Sequence, residues 1–373
     1  MRKLQAIEMA YLDRAKEGKR YELDQKELRE AERRGRRNRR ARRPGCSSDE
    51  KKEETKKEEA PAKEETKELL PAKIGYWGGT CEAPIYIGIE KGYFKEAGLE
   101  PEALLITSDV TALMANDELD CFELTPDKFK PMEQGLELAI IDSLHKGCIQ
   151  GAASPESGIK TVEDLEGKKV AAAMGSIPQI QIASQMVLAG KDPSKVEWLT
   201  YPSAQMEAAM NAGEVDAFAQ YDPWADIAVS NGATKFFSDT FDEGLKDYLC
   251  CFVGMSTKTL NARPEIGPML SEGFAKAAEF LANNPEEAAD IIVKGGYVPV
   301  NTDAGFTRDI MLEEIKAYTW SSGDRKLIDD SFHEIWMQIN RAGAMEDAPT
   351  DPEELNRYID ETLYNKMVKY QGK

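Results

Sequence analysis

At 373 residues with 41% apolar side chains, the chain exceeds one ordinary domain and has enough apolar surface for two cores. Its formal charge of −19 is unevenly spread: residues 1–45 carry 16 Lys/Arg against 8 Asp/Glu, leaving 32 against 59 for the remainder, a net of −27. A body that acidic repels nucleic acid and anionic membrane, and no stretch approaches the roughly 20 apolar residues of a membrane span, so both partner classes are excluded for the folded part.

The basic run Arg33 to Arg43 has no interleaved aromatics and is read as part of a basic, non-globular leader over 1–45, with no nucleic acid as its partner. Gly45-Cys46-Ser47-Ser48-Asp49, followed by KKEETKKEEAPAKEETKE, resembles the start of a mature bacterial lipoprotein. That resemblance implies lipidation of Cys46 and contact with a membrane through the lipid alone. The lipoprotein pattern places an apolar lipobox before the cysteine, whereas Ala41-Arg42-Arg43-Pro44 stands here, so 1–45 reads as an aberrant signal region with no recognisable export signal. Residues 46–72 are almost entirely Lys, Glu, Thr, Pro and Ala and bury too little to offset ordering entropy, which predicts a charged flexible tether.

From Lys73 onward short β-type runs alternate with helical patterns, the signature of an α/β body whose sheets are covered by helices. Strands are predicted at Lys73 to Trp77, Ala103 to Thr107, Cys121 to Thr125 and Leu138 to Leu144. A second series has a short helix at Val162 to Leu165 and strands at Val170 to Ala173, Glu197 to Tyr201 and Ala217 to Tyr221, with helices Ile177 to Ala189 and Ala204 to Asn211 between them. Lys235 to Ser238 and Leu249 to Met255 read as strands returning the chain, and 265–370 is dominated by helical periodicity. The expectation is a discontinuous first lobe, 73–154 with 250–373, and a second lobe over 155–249.

Four phrases stand in order: IGYWGGTCEAPIYIGIEKGYFKEAGLEPE, KTVEDLEGKKVAAAMGS, GEVDAFAQYDPWADIA and NNPEEAADIIV. Together they resemble the nitrate, sulfonate, taurine and thiamine-precursor group of ABC substrate-binding proteins, in the superfamily that also holds thiamine pyrimidine synthase. The resemblance implies a type II periplasmic-binding-protein fold: two lobes with mixed sheets flanked by helices, joined by crossover hinge strands, with the ligand cleft between them. It further implies an extracytoplasmic monomer that captures a small molecule and delivers it to an ABC permease and its ATPase, without catalysis and without a cofactor.

In open α/β sheets ligands sit beyond the carboxyl ends of strands, at helix N-termini. Gly78, Gly79 and Thr80 follow the first strand, where glycine lets backbone donors approach a ligand, and Cys81 and Glu82 fall at the start of the next helix. Glu82 serves equally as a helix-dipole complement. Ser108, Asp109 and Thr111 follow the second strand and Thr125 the third, as ligand groups or helix caps. From the second lobe, Gly175 and Ser176 repeat the logic of Gly78 to Thr80, with capping by Ser176 as the alternative. Tyr221, Asp222 and Trp224 end another strand, and with Tyr76 and Trp77 opposite they suit a planar nitrogenous ligand, although Trp77 and Trp224 fit lobe packing equally.

Cys148 lies on the exit from the first lobe and Cys250 and Cys251 on the return, which leaves a hinge disulfide and a cluster of buried thiols as open readings. His145 precedes Cys148 as His-x-x-Cys, but paired CxxC spacing is lacking and no metal is expected. Two other functions stay open. Cys250-Cys251-Phe252 faintly resembles the cysteine motif of the thiamine pyrimidine synthase, which would imply an enzyme, and a sensor lobe at the membrane surface is the third.

Overall fold

Among the described residues two mixed sheets account for the strands, and the chain passes between them twice. The computed structural model describes residues 68–107, 109–298, 305–345 and 348–373, of which Glu68–Lys373 is one compact unit. Cys46, with the leader and most of the tether, and Ser108 lie outside the described residues.

The first sheet is built from β1 (Leu70–Tyr76), β2 (Leu99–Leu105), β3 (Cys121–Leu124), β4 (Leu138–Lys146), β10 (Leu249–Ser256) and β11 (Thr319–Trp320), in the order β11-β4-β10-β3-β1-β2. Its β1 pairs in parallel with β2 and β3, while β10 runs antiparallel between β3 and β4. The second sheet has the order β7-β6-β8-β5-β9, from β5 (Ile149–Ala153), β6 (Lys169–Ala171), β7 (Glu197–Leu199), β8 (Ala217–Tyr221) and β9 (Thr234–Ser238). Every residue of β10 is buried, as is all of β4 except its last, because helices cover both faces of the sheet and the strands read as near-continuous apolar runs. The helix Ile266–Asn283 supplies one such cover, burying Leu270, Phe274, Ala277 and Leu281 at helical spacing.

The structure moves two predicted edges. Strand pairing starts at Leu70, inside the stretch read as tether, because Leu70 to Ala72 align with Leu99 to Pro101 despite the polar composition before them. The crossing to the second sheet comes at Gly147 rather than near Ser154, so β5 belongs to the second sheet and the turn at Ser154-Pro155 only ends it. Gly147 adopts φ +75°, and a Cβ there would lie 2.4 Å from the Thr240 side chain on the returning passage. A side-chain-free residue with left-handed backbone is what lets the two passages touch. Buried Asp239 fastens them, accepting from the Cys148 and Ile149 N–H groups at 2.8 Å each.

Candidate functional site

The loops beyond β1, β3, β4 and β8 converge with the segment Glu314 to Trp320 on a buried polar seam between the two sheets. Glu82 folds back so that its carboxylate accepts from Trp77 N–H (2.8 and 3.0 Å), Gly78 N–H (2.7 Å) and Gly79 N–H (2.9 Å), with the Tyr86 hydroxyl as a further donor at 2.9 Å. Gly78 has φ +99°, the conformation that turns successive N–H groups toward one point. The expectation that these donors face a ligand is therefore corrected: they hold the chain's own carboxylate. Burial, reinforced by the charge of Glu123, pushes Glu82 up to about 8 against those hydrogen bonds.

The other residues singled out from sequence divide cleanly. Asp109 is a helix cap, accepting from the Thr111 N–H at 2.8 Å, and Thr125 bonds Asp127 next to it. Tyr76 packs edge-on against Tyr86 and Tyr297, and Trp77 edge-on against Phe122, as half-buried lobe packing. Trp224 is the first residue of the helix Trp224–Ser230 and is packed against both apolar cores. Ser176 precedes the helix Ile177–Leu188 but makes no side-chain cap bond, and its buried Oγ has no partner, so the capping alternative does not hold. Gly175, at φ +78°, donates to Gln179 at 3.1 Å. Tyr221 likewise has a buried hydroxyl with no partner.

Asp222 is the centre of the second-lobe side. Its Oδ2 accepts from the Tyr318 hydroxyl at 2.6 Å, a bond from beside β11 of the first sheet to the end of β8 in the second, while its Oδ1 has no partner. Burial, then the charge of Asp226, pushes Asp222 up to about 8 against Tyr318 and Lys235. Glu314, 3% exposed, has no bonded partner at either oxygen, and buried Thr80 Oγ1 is unbonded beside it, although near enough to pull its pKa down. Burial and Asp222 nevertheless hold the Glu314 carboxyl well above the usual range. Lys235 is a cation at this end, paired with Asp226 at 2.6 Å and also donating to Gln150.

At the other end His145, fully buried, stacks on Tyr318 with centroids 5.2 Å apart and meets Trp320 edge-on at 5.6 Å. Its Nε2 lies 3.3 Å from Glu123 Oε1, and its Nδ1 has no partner. Burial disfavours a proton on this imidazole, but the contacts with Cys81 and Glu123 outweigh it and hold the pKa well above the usual value. The cysteines from the two passages meet here as free thiols: Cys148 Sγ is 2.8 Å from Cys250 Sγ and 3.8 Å from Cys251 Sγ. Cys81 joins them, 3.5 Å from Glu123 Oε2.

Sequence reasoning missed Glu123, Glu314, Tyr318, Asp226 and Lys235. A signal existed for two of them. Glu123 is a charged residue inside an otherwise apolar strand, Cys-Phe-Glu-Leu, and Asp226 stands one helical turn after Asp222.

Two lobes joined by paired crossovers, with polar groups from both meeting between them, define the periplasmic-binding-protein fold. Residues 80–288, more than half of the chain, match the NMT1/THI5-like family, and the chain belongs to that family. No curated protein sequence matches it. Among solved structures it is similar to the periplasmic nitrate-binding protein NrtA of Synechocystis, at 17% identity and a TM-score of 0.63 over 81% of this chain and 86% of that one. The aliphatic sulphonate binding protein SsuA of Escherichia coli is similar at 16% identity and a TM-score of 0.59, over 79% and 99%. The Candida albicans CA3427 product, described as having the generic periplasmic binding protein fold, is similar at 14% identity and 0.63, over 82% and 97%. Among the described residues no helix is long and apolar enough to cross a membrane.

Proposed function

We propose that this chain is the extracytoplasmic solute-binding component of an ABC importer, whose lobes close on a small planar nitrogenous compound that presents amino or protonated ring nitrogens. The observation that carries the cargo class is Glu82 seated in the N–H nest of Trp77, Gly78 and Gly79. Converging backbone donors after a strand are a site for an anion, and here the protein's own carboxylate takes that place.

The groups left over point the same way. Asp222 Oδ1 and both Glu314 oxygens are buried without hydrogen-bond partners, and a cationic ligand N–H placed between them would favour the charged form of these raised acids and gain charge-assisted hydrogen bonds of about 1.5–3 kcal/mol each. An anion would find little free positive charge among these groups, because Lys235 is already paired with Asp226. The relatives that bind nitrate and sulphonate thus share the scaffold with this chain, and its seam suits the opposite polarity of cargo. The Tyr318–Asp222 bond across the lobes supports a reading in which the closed form is what a permease recognises. An aminopyrimidine of the thiamine-precursor type has the required donors on a planar ring.

Thermal-shift measurement against aminopyrimidines, nitrate and alkanesulfonates tests this directly, since a ligand bound only to the folded state raises Tm. A rise with an aminopyrimidine that is lost in Asp222→Asn is expected. A rise with nitrate or a sulfonate alone would overturn the cargo assignment, and no rise with any aminopyrimidine would remove that compound class.

A further inference from the structure

We propose that Cys81, His145, Cys148 and Cys251 form a binding site for one soft or borderline divalent metal ion, zinc or ferrous iron, at the junction of the two crossovers. The site is distinct from the cargo groups at Asp222 and Glu314, and its residues are drawn from four places in the chain: the loop after β1, the end of β4, the outgoing crossover and β10. The ligand atoms of Cys81, His145 and Cys148 all lie within 4.8 Å of one another, as do those of Cys148, Cys250 and Cys251, and those of Glu123, His145 and Cys251. All of these residues are buried.

Geometry selects among the thiols. Tetrahedral coordination with metal–sulfur bonds of about 2.3 Å requires sulfurs about 3.8 Å apart. Cys148 and Cys251 stand 3.8 Å apart, matching that edge. Cys250, at 2.8 Å from Cys148, is too near to share one ion with it unmoved and too far for a sulfur–sulfur bond of about 2.05 Å. It therefore sits beside the set rather than in it.

The imidazole supplies the independent observation. Metal-binding histidines hand one ring nitrogen to a carboxylate and ligate through the other. His145 Nε2 is on Glu123 Oε1 at 3.3 Å, while Nδ1 is buried without a hydrogen-bond partner. Buried imidazole nitrogens in native proteins are rarely left so. Ordinary buried thiols need only apolar neighbours, yet these share their space with a glutamate and a histidine, an environment that repels apolar packing and retains a cation. Thiolate and imidazole donors together select zinc or iron over magnesium or calcium. An ion held there would tie the loop that carries Glu82 to both crossovers, bracing the hinge at Gly147.

The test uses the full chain, reduced and purified without oxygen, titrated with Co²⁺ as a spectroscopic probe. The expected result is one equivalent bound, with tetrahedral d–d absorption and thiolate-to-cobalt charge transfer, both abolished by one equivalent of Zn²⁺. Cys148→Ser and Cys81→Ser should each lose the charge-transfer band, while Cys121→Ser, at a buried thiol outside the cluster, should keep it. Absence of both bands in the reduced wild-type chain would overturn the proposal whatever the variants do. So would recovery of two thiols fewer than expected when the denatured, unreduced chain is titrated with a thiol reagent, because a Cys148–Cys250 disulfide removes a ligand. None of these readouts involves the transported compound, so the site stands or falls apart from the cargo assignment.

Discussion

The two glycine-containing loops, Trp77 to Glu82 in the first lobe and Gly175 to Ser176 in the second, have the same local design: a strand, a left-handed glycine, a hydroxyl residue and a helix. They differ in what accepts from their backbone donors. In the first, the backbone donors are saturated by Glu82, while Thr80 Oγ1 stays buried and unbonded. In the second, no carboxylate folds back: Gly175 N–H donates to Gln179, and Ser176 Oγ is buried and unbonded as Thr80 Oγ1 is in the first. Similar sequence logic thus yields a carboxylate-filled nest in one lobe and an amide-bonded loop in the other, and the difference is one carboxylate positioned to fold back.

The sharpest way to break this contrast is Glu82→Ala. It strips the acceptor from three backbone N–H groups and the Tyr86 hydroxyl, and should cost about 3 kcal/mol or more in urea unfolding. It should also restore an anion site: millimolar nitrate or methanesulfonate should raise the Tm of the variant and leave the wild type unmoved. A variant as stable as wild type and indifferent to anions would show that the nest is not what Glu82 serves.

A second effect is on pH dependence. Asp222 ordinarily titrates near 3.8 and is pushed up to about 8 in the fold, so between those values the folded chain holds a proton that the unfolded chain has released. Its contribution therefore makes stability fall as pH rises from about 4 to about 8 and then level off, with a slope of up to about 1.4 kcal/mol per pH unit. Unfolding midpoints across that range should show a shallower decline in Asp222→Asn. An unchanged slope would remove Asp222 as a neutral buried acid.

The smallest effect on stability is expected for Ser176→Ala. A capping serine would cost about 1 kcal/mol on removal, whereas an unbonded hydroxyl should cost under about 0.5. Ligand affinity, read by the concentration dependence of the thermal shift, should nonetheless drop roughly tenfold, the value of one hydrogen bond. A stability loss with intact affinity would place Ser176 with the scaffold.

Much of the architecture was legible because it rests on local pattern. The strands Cys121–Leu124 and Ala217–Tyr221 announce themselves by apolar runs bounded by turns, and the strand–loop–helix positions of Gly78, Gly175 and Asp222 place them at the carboxyl edges of sheets. The site was half legible. Asp222 and Ser176 were placed at the sheet edges by position, but their bonding was not legible, because Asp222 is matched to Tyr318 96 residues away, across the two lobes.

By itself, the sequence determined which segments alternate between strand and helix, where the glycines turn the chain, and which loops reach a common edge. Those follow from periodicity and backbone sterics within a few residues. Only the tertiary structure decided that Glu82 closes its own loop, that Glu314 and Tyr318 enter the seam from the C-terminal third, and that Cys81 joins Cys148 and the Cys250-Cys251 pair. Cys148 and Cys250 are 102 residues apart, and no spacing rule links them. Their meeting is set by the register of β10 against β4 and by Gly147, which lets the outgoing and returning passages touch. Chemistry that depends on such pairings is a property of the folded sheets, which is why the lobes were readable from the chain and the polarity of the space between them was not.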